Sequence, residues 1–174
     1  MVDQLSIFFR TTLSKGQEFI TLAEEESHVR SYLMIQQFRY QDILDYEVEM
    51  DQEIRCNYIL KICLQPIVEN ALYHGIKNKR GKGKLSVKGY RIGDYIHFSV
   101  KDTGRGMSPE ELTSLENELK GEKLSDSKKG FGLLNVNERL SLIYGEECKI
   151  HITSEYGVGT EVNFKIPLCS KVVE

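Results

Sequence analysis

A two-layer α+β sandwich is what this sequence predicts, with helices on one face of a mixed, mostly antiparallel sheet and a helical segment ahead of it. Three observations carry the prediction. Leu44, Tyr46, Val48 and Met50 alternate with Asp45, Glu47, Glu49 and Asp51, and Ile96, Phe98 and Val100 alternate in the same way, the period of strands with one wet face. Stretches with apolar groups at helical spacing lie between such strands. The resulting order of strand, helix, two strands, helix, polar segment, helix and two strands suits helices laid over one sheet. A chain of 174 residues holds one such domain with a good core and a little extra.

Leu5, Phe8, Phe9 and Leu13 have helical spacing from Gln4 to Leu13, and Lys15-Gly16 ends that stretch. Thr21 then caps a second helix, with Glu24 three residues on as its capping-box partner. This helix runs to about Tyr40, with Val29, Tyr32, Leu33 and Gln36 near one face and Glu24 to Glu26 matched to the positive end of its dipole. The two helices together read as an outlying hairpin that packs on something else. Tyr58 to Tyr73 is helical in pattern around Pro66. An interior proline costs about 3 kcal/mol, so Pro66 marks a kink or a first turn.

Gly75 to Lys84 is basic and glycine-rich, hence a loop. Lys84 to Arg91 and Tyr95 to Lys101 read as strands about a Gly93-Asp94 turn. Ser108, Pro109 and Glu111 open another helix, and Gly121 to Lys129 lacks apolar anchors and reads as a mobile segment. Gly132 to Tyr144 is a helix. Lys149 to Ser154 and Glu161 to Ile166 make a last hairpin about Gly157-Val158-Gly159.

Composition narrows the function classes. A net charge of −3 gives no basic field to recruit nucleic acid. No apolar run approaches the roughly 20 residues that span a bilayer, and no secretory signal opens the chain. Cys56, Cys63, Cys148 and Cys169 form no C-x-x-C pair and have no clustered His, so they read as reduced, mostly buried thiols rather than a zinc site or a disulfide framework.

Three stretches carry chemistry together. Asn70 and His74 stand four apart, on one helix face, beside Glu69. An amide oxygen suits Mg²⁺, which keeps several waters and substrate phosphates; the plainer reading is that Asn70 solvates a surface helix, although Asn is a mediocre helix former. Asp102 ends a strand and runs into Gly104 and Gly106. Its ionised carboxylate only accepts, so it suits an exocyclic amino group such as adenine N6, and glycines let the backbone turn sharply against a flat base. An ordinary Asp-Thr-Gly turn is the alternative. Gly130-Phe131-Gly132-Leu133-Leu134-Asn135 opens a helix, whose free N–H groups attract phosphate. It is not a dinucleotide fingerprint, because no strand precedes it. Gly75 to Lys82 is not a P-loop, because its spacing is one too long and Gly83 stands where Ser or Thr would bind magnesium.

Asn70 on its helix, Asp102-x-Gly104-x-Gly106, Gly130-x-Gly132 and Gly157-x-Gly159-Thr160 together resemble the ATP-binding domain, of Bergerat type, shared by gyrase, Hsp90, MutL and histidine kinases. Within it the chain resembles sensor histidine kinases of the LytS/YesM type. The segments that carry this are Leu64-Gln65-Pro66-Ile67-Val68-Glu69-Asn70-Ala71-x-x-His74-Gly75, Gly132-Leu133-x-Asn135-Val136-x-x-Arg139-Leu140, and Thr21-Leu22-x-Glu24-Glu25-Glu26-x-His28-Val29-x-x-Tyr32-Leu33. The resemblance covers nearly the whole chain. It implies that Asn70 holds Mg²⁺ against the phosphates of ATP, with His74 and Glu69 close by as catalytic residues. Asp102 binds adenine N6, Gly104, Gly106 and Met107 shape the base pocket, and Thr160 assists through a water. Residues 107–130 form a lid, with Gly130, Phe131, Gly132 and Leu133 approaching phosphate. Arg139 is structural or faces the nucleotide. Residues 1–41 are the end of a dimerisation region and residues 42–174 the catalytic domain.

Two departures stand out. Many histidine kinases carry Lys or Arg three residues after the magnesium Asn; here Tyr73 stands in that ATP-binding position without a charge, which leaves the phosphates to Lys77, Lys128 or Lys129. The gyrase-like branch carries a hydrolytic Glu four residues before that Asn. Pro66 fills the slot here and cannot activate water, which favours phosphoryl transfer to a protein over an ATP-hydrolysing clamp. The usual acceptor context is His-Glu-x-x-Thr-Pro-Leu, whereas His28 continues into Val29-Arg30-Ser31-Tyr32. His28 therefore reads as packing or solvent-facing, and His97 and His151 as structural. The acceptor is expected upstream, in an Asn-Pro-His-Phe-type segment that this chain lacks.

The resemblance therefore implies the C-terminal, cytoplasmic catalytic piece of a longer kinase anchored in the bacterial cell membrane. That parent would be a homodimer whose acceptor helix, in the same protein or its mate, passes the phosphoryl group to a response regulator. A non-catalytic nucleotide-sensing or dimerisation module is the alternative from another class.

Overall fold

The computed structural model describes residues 18–121 and 131–169. The expected helix over 4–13, Lys128, Lys129, Gly130 and the lid residues 122–130 lie outside the described residues. In chain order the elements are β1 (Phe19–Thr21), α1 (Leu22–Arg39), β2 (Leu44–Met50), β3 (Tyr58–Leu60), α2 (Leu64–Asn70), β4 (Gly83–Ile92), β5 (Tyr95–Asp102), α3 (Pro109–Leu119), α4 (Phe131–Tyr144), β6 (His151–Glu155) and β7 (Gly159–Pro167). A wide helical turn, Ala71–Gly75, and a tight one, Ile76–Asn78, prolong α2.

Five strands form one sheet in the order β2-β4-β5-β7-β6. β2 and β4 run parallel, and the other three pairings are antiparallel, so the mixed, mostly antiparallel sheet is as expected. Burial alternates along the central strands: Ile96, Phe98 and Val100 of β5 and Val162, Phe164 and Ile166 of β7 are buried while their neighbours are not. One face of the sheet therefore supplies the core, and each large aliphatic or aromatic side chain buried there contributes about 1.5–3 kcal/mol. Phe98 and Phe164, directly paired, stack at 4.8 Å between ring centroids.

Both helix starts that the sequence marks are built as capping boxes. Thr21 Oγ1 accepts from Glu24 N at 3.3 Å while Glu24 Oε2 accepts from Thr21 N at 2.8 Å. Ser108 and Glu111 repeat the arrangement at α3, with Pro109 at the first helical position. Pro66 lies in the first turn of α2, where its missing N–H has no partner to lose.

Two expectations are corrected. Tyr58 to Leu60 is not the start of the helix but a strand, paired antiparallel with Phe19 to Thr21 in a separate two-stranded sheet. A short apolar run fits either period, and only the distant partner decides. The helix from Thr21, expected as an outlying piece, instead sends Leu22, Val29, Tyr32 and Leu33 into the main core. Among the cysteines, Cys63 and Cys148 are buried but Cys56 is exposed.

Candidate functional site

The site is assembled where the C-terminal end of α2 meets the end of β5. α2 has no side-chain cap of its own. Its first N–H is met from α1: the fully buried Glu25 accepts from Leu64 N at 2.9 Å and, just ahead of the helix, from Ile62 N at 3.0 Å. Burial pushes the Glu25 carboxyl up, and the N–H bonds of Leu64 and Ile62 pull it back. At the other end Asn78 Nδ2 donates to the carbonyls of His74 (3.1 Å) and Tyr73 (3.2 Å), closing the wide turn that succeeds Asn70.

β5 ends on Asp102, which is 3% exposed. Its Oδ1 accepts from Gly104 N at 2.7 Å. Burial raises its carboxyl to about 6, against the lowering effect of the Gly104 and Thr160 N–H groups. β7 brings Thr160 directly opposite Asp102. Thr160 Oγ1 lies 2.8 Å from Ser154 Oγ, which also accepts from Met107 N at 2.9 Å.

The loop after Asp102 is pressed against the end of α2. Arg105 N donates to Gly75 O at 3.1 Å. A Cβ on Gly104 would stand 2.2 Å from the Gly75 carbonyl carbon, so what approaches Gly104 closely is the backbone of Gly75. Gly106 has φ +67°, and a Cβ there would meet Glu155 O at 1.9 Å. The loop is therefore wedged between α2 and the β6–β7 hairpin, and glycine is needed at both positions.

These elements enclose a cavity of about 310 Å³. The lining includes Asn70 and His74 from α2 and its prolongation, Asp102 and Thr160 from β5 and β7, Gly106 and Met107 from the loop, and Glu111, Ser114, Leu115 and Glu118 from α3. Arg105, also in the lining, is held at 2.9 Å by Glu111. So Asn70, His74, Asp102, Gly106, Met107 and Thr160, of the residues singled out in the sequence, share the lining of one cavity.

The other expected residues lie elsewhere. Glu69 and Tyr73 are on the flank of α2 that faces α1: Glu69 accepts from Gln65 at 2.7 Å, and Tyr73 stands beside Tyr32. Lys77 is drawn to the end of α1, 3.0 Å from the Tyr40 hydroxyl and over the rings of Tyr40 and Tyr73. Gly132 packs on Pro66 and Leu133 is buried in the core. Phe131 opens α4. Arg139 donates to Lys61 O at 3.2 Å, the structural one of its two readings. His28 is fully buried, at odds with a solvent-facing role, and His97 stacks on Tyr90. Asn78, Arg105 and the acidic residues of α3 were missed. For Asn78 the signal was available, since Asn at a helix end favours carbonyl capping.

The donor set fits a hydrated Mg²⁺ rather than a protein-caged metal. Among the described residues no group of three His, Cys, Asp or Glu converges on a metal position. Asn70 offers one hard oxygen at the cavity wall, which is what a Mg²⁺ carried by phosphates and waters requires.

Residues 59–170 match the family described as "Histidine kinase-, DNA gyrase B-, and HSP90-like ATPase", and residues 1–44 match that described as "Histidine kinase". Over 167 residues, 94% of the chain, it is 36% identical to the sensor protein LytS of Bacillus cereus. Over 169 residues, 96% of the chain, it is 34% identical to the sensor histidine kinase YpdA of Escherichia coli. The chain spans 28% of the length of each of these relatives. The catalytic domain of the histidine kinase ThkA has the same fold, with a TM-score of 0.60 at 18% identity, covering 86% of this chain and 94% of that one. So does the Acinetobacter baumannii histidine kinase AdeS, with a TM-score of 0.59 at 13% identity over 96% of this chain and 76% of that one.

Proposed function

This chain belongs to the family of histidine kinase-, DNA gyrase B- and HSP90-like ATPases, and on that footing we propose that it is the Mg·ATP-binding catalytic domain of a two-component sensor histidine kinase. It hands the γ-phosphoryl group to a histidine outside these 174 residues, on a dimerisation helix of the same protein or its mate, for relay to a response regulator. The parent is a homodimer anchored in the bacterial membrane, and residues 1–41 end its dimerisation region. No described helix is long and apolar enough to cross a membrane.

One observation carries the reading. A buried carboxylate, Asp102, and the Asn70 amide, carried on different elements, line one cavity. An adenine amino group suits the first and metal-bound phosphate the second. Asp102 orients the base, and Thr160, tied to Ser154, steadies it. Asn70 would hold Mg²⁺, which neutralises phosphate charge, and His74 flanks it. Phosphoryl transfer then depends mainly on position and charge. Pro66, packed against Gly132, offers no base to activate water.

The Asn70 assignment is tested by titrating the chain with ATP with and without Mg²⁺. Mg²⁺ is expected to tighten binding, and Asn70→Ala to remove most of that gain while adenosine binds as before. A Mg²⁺ gain that survives the substitution excludes Asn70 as the ligand.

The raised carboxyl of Asp102 makes a second prediction. Adenine's amino group needs the ionised acceptor, so base and proton compete. Adenosine affinity is expected to hold steady above about pH 7 and to fall about tenfold per unit below about pH 6, and calorimetry in buffers of different ionisation enthalpy reads the proton released on binding. A flat profile from pH 7 to 5 excludes that role. For the free protein the sign is opposite: a carboxyl raised from 3.8 to about 6 lends stability that is full below about 3.8 and lost as pH rises through about 6.

A further inference from the structure

α1 grips α2 along a polar seam inside the apolar core. Glu25 holds the N–H groups of Ile62 and Leu64. Ile62 adopts φ 59°, a costly conformation for a β-branched residue, and the Glu25 bond helps to hold it there. One turn on, the fully buried His28 places Nε2 2.5 Å from Gln65 Oε1, and Gln65 Nε2 donates to Glu69 Oε1 at 2.7 Å. Because the Gln65 oxygen accepts, His28 donates from Nε2. One further turn along, Tyr32 is buried in the field of Glu69 and Tyr73. The contacts climb the two helices in step.

Such a seam is a poor way to stabilise a core, since apolar pairs would avoid the cost of desolvating a carboxylate and an imidazole. What it provides is placement. On the other flank of α2, Asn70 and His74 line the cavity. The wide turn Ala71–Gly75 begins immediately after Asn70, where the helix's own bonding is least regular. The rotation of α2 at Asn70 is therefore set by what holds the turns before it, and those turns are held by α1.

We propose that His28 is a positioning residue for the phosphate end of the site, acting through Gln65 and Glu69 to fix the rotation of α2 and with it Asn70 and His74. This rests on reading the cavity as an adenine-nucleotide site. The base end is anchored mainly in the sheet, by Asp102 and Thr160 on adjacent strands, and meets the prolongation of α2 at Gly75. α1 lies within the stretch 1–44 that matches the histidine-kinase family, so a shift of that helix would reach the phosphates by this route with a larger effect than on the strand-anchored adenine pocket.

The test separates the two ends. Adenosine probes the base end and Mg·ATP probes both, each titrated calorimetrically into the full chain, with a thermal melt for every variant. His28→Leu is expected to weaken Mg·ATP about tenfold and adenosine by less than about twofold. His28→Gln, which restores an N–H donor, recovers most of the loss. Gln65→Met reproduces it, and the double variant is no worse than the worse single one. If His28→Leu does not melt cooperatively, Gln65→Met carries the comparison. Equal losses for the two ligands, a loss confined to adenosine, no change in either, or no recovery with His28→Gln each overturn the inference. No adenosine binding by the unsubstituted chain overturns the site reading beneath it, and the inference with it.

Discussion

Asp102→Asn is expected to weaken adenine-nucleotide binding about a hundredfold without unfolding the domain. The side chain keeps its size and still offers an oxygen to Gly104 N, which donates to Asp102 Oδ1 at 2.7 Å in the native site. Its other atom becomes an NH₂ donor aimed at another donor, the adenine amino group. A charge-assisted bond is lost and an unpaired pair of donors is left in a buried place, a combined cost of about 3 kcal/mol. Folding moves the other way. Burial already disfavours the charged carboxylate, so a neutral amide is easier to enclose, and the melting temperature at pH 7 should be unchanged or higher. Calorimetry with ATP and adenosine reads the first effect, and a melt reads the second. Unchanged affinity would remove Asp102 from the base end of the site.

Gly104→Ala is expected to damage fold and site together. A methyl there would lie 2.2 Å from the Gly75 carbonyl carbon and 2.5 Å from its oxygen, atoms of backbone that no rotamer change can move. Relief requires the loop to lift off α2, which breaks the Arg105 N to Gly75 O bond and shifts Asp102, whose Oδ1 would be 2.5 Å from any Cβ on Gly75. We expect a stability loss of about 3 kcal/mol and a weakening of ATP, measured below the lowered melting temperature. Gly121→Ala is the control, since φ there is +79° but the space around it is open, so it reads the cost of backbone strain without a close approach. A loss at Gly104 no larger than the loss at Gly121 would mean that the close approach to Gly75 is not what Gly104 is for.

How much of this was legible in the sequence depends on how local the cause is. The capping boxes at Thr21 and Ser108, the Gly93-Asp94 turn and the alternation in β5 are written within a few residues, and each is found where it was read. That Asn70, His74 and Asp102 share a cavity lining has a local trace too: two polar groups four apart on an amphipathic helix, and an acid closing an apolar strand.

What was hidden depends on distant partners. β3 exists because Phe19–Thr21 lies beside it. The resemblance set Tyr73 beside the nucleotide and offered Lys77 to its phosphates, yet the wide turn leaves Tyr73 beside Tyr32 and Lys77 over the rings of Tyr40 and Tyr73. Glu25, matched in the sequence only to the dipole of its own helix, is buried where it meets the N–H groups of Ile62 and Leu64, and His28 is buried against the side chain of Gln65. The acids of α3 that line the cavity have the same explanation, since nothing in Pro109–Leu119 says where that helix will lie.

The most direct test of the whole account is phosphoryl transfer in trans. The chain is mixed with γ-labelled ATP, Mg²⁺ and a separate helical fragment of a LytS-type relative carrying its Asn-Pro-His-Phe segment, and acid-labile phosphohistidine on the fragment is tracked with time. The account predicts label on the fragment's histidine, dependent on Mg²⁺, absent with Asp102→Asn and with little inorganic phosphate released when the fragment is left out. A chain that binds Mg·ATP yet leaves the fragment unlabelled, or one that steadily hydrolyses ATP alone, would contradict it.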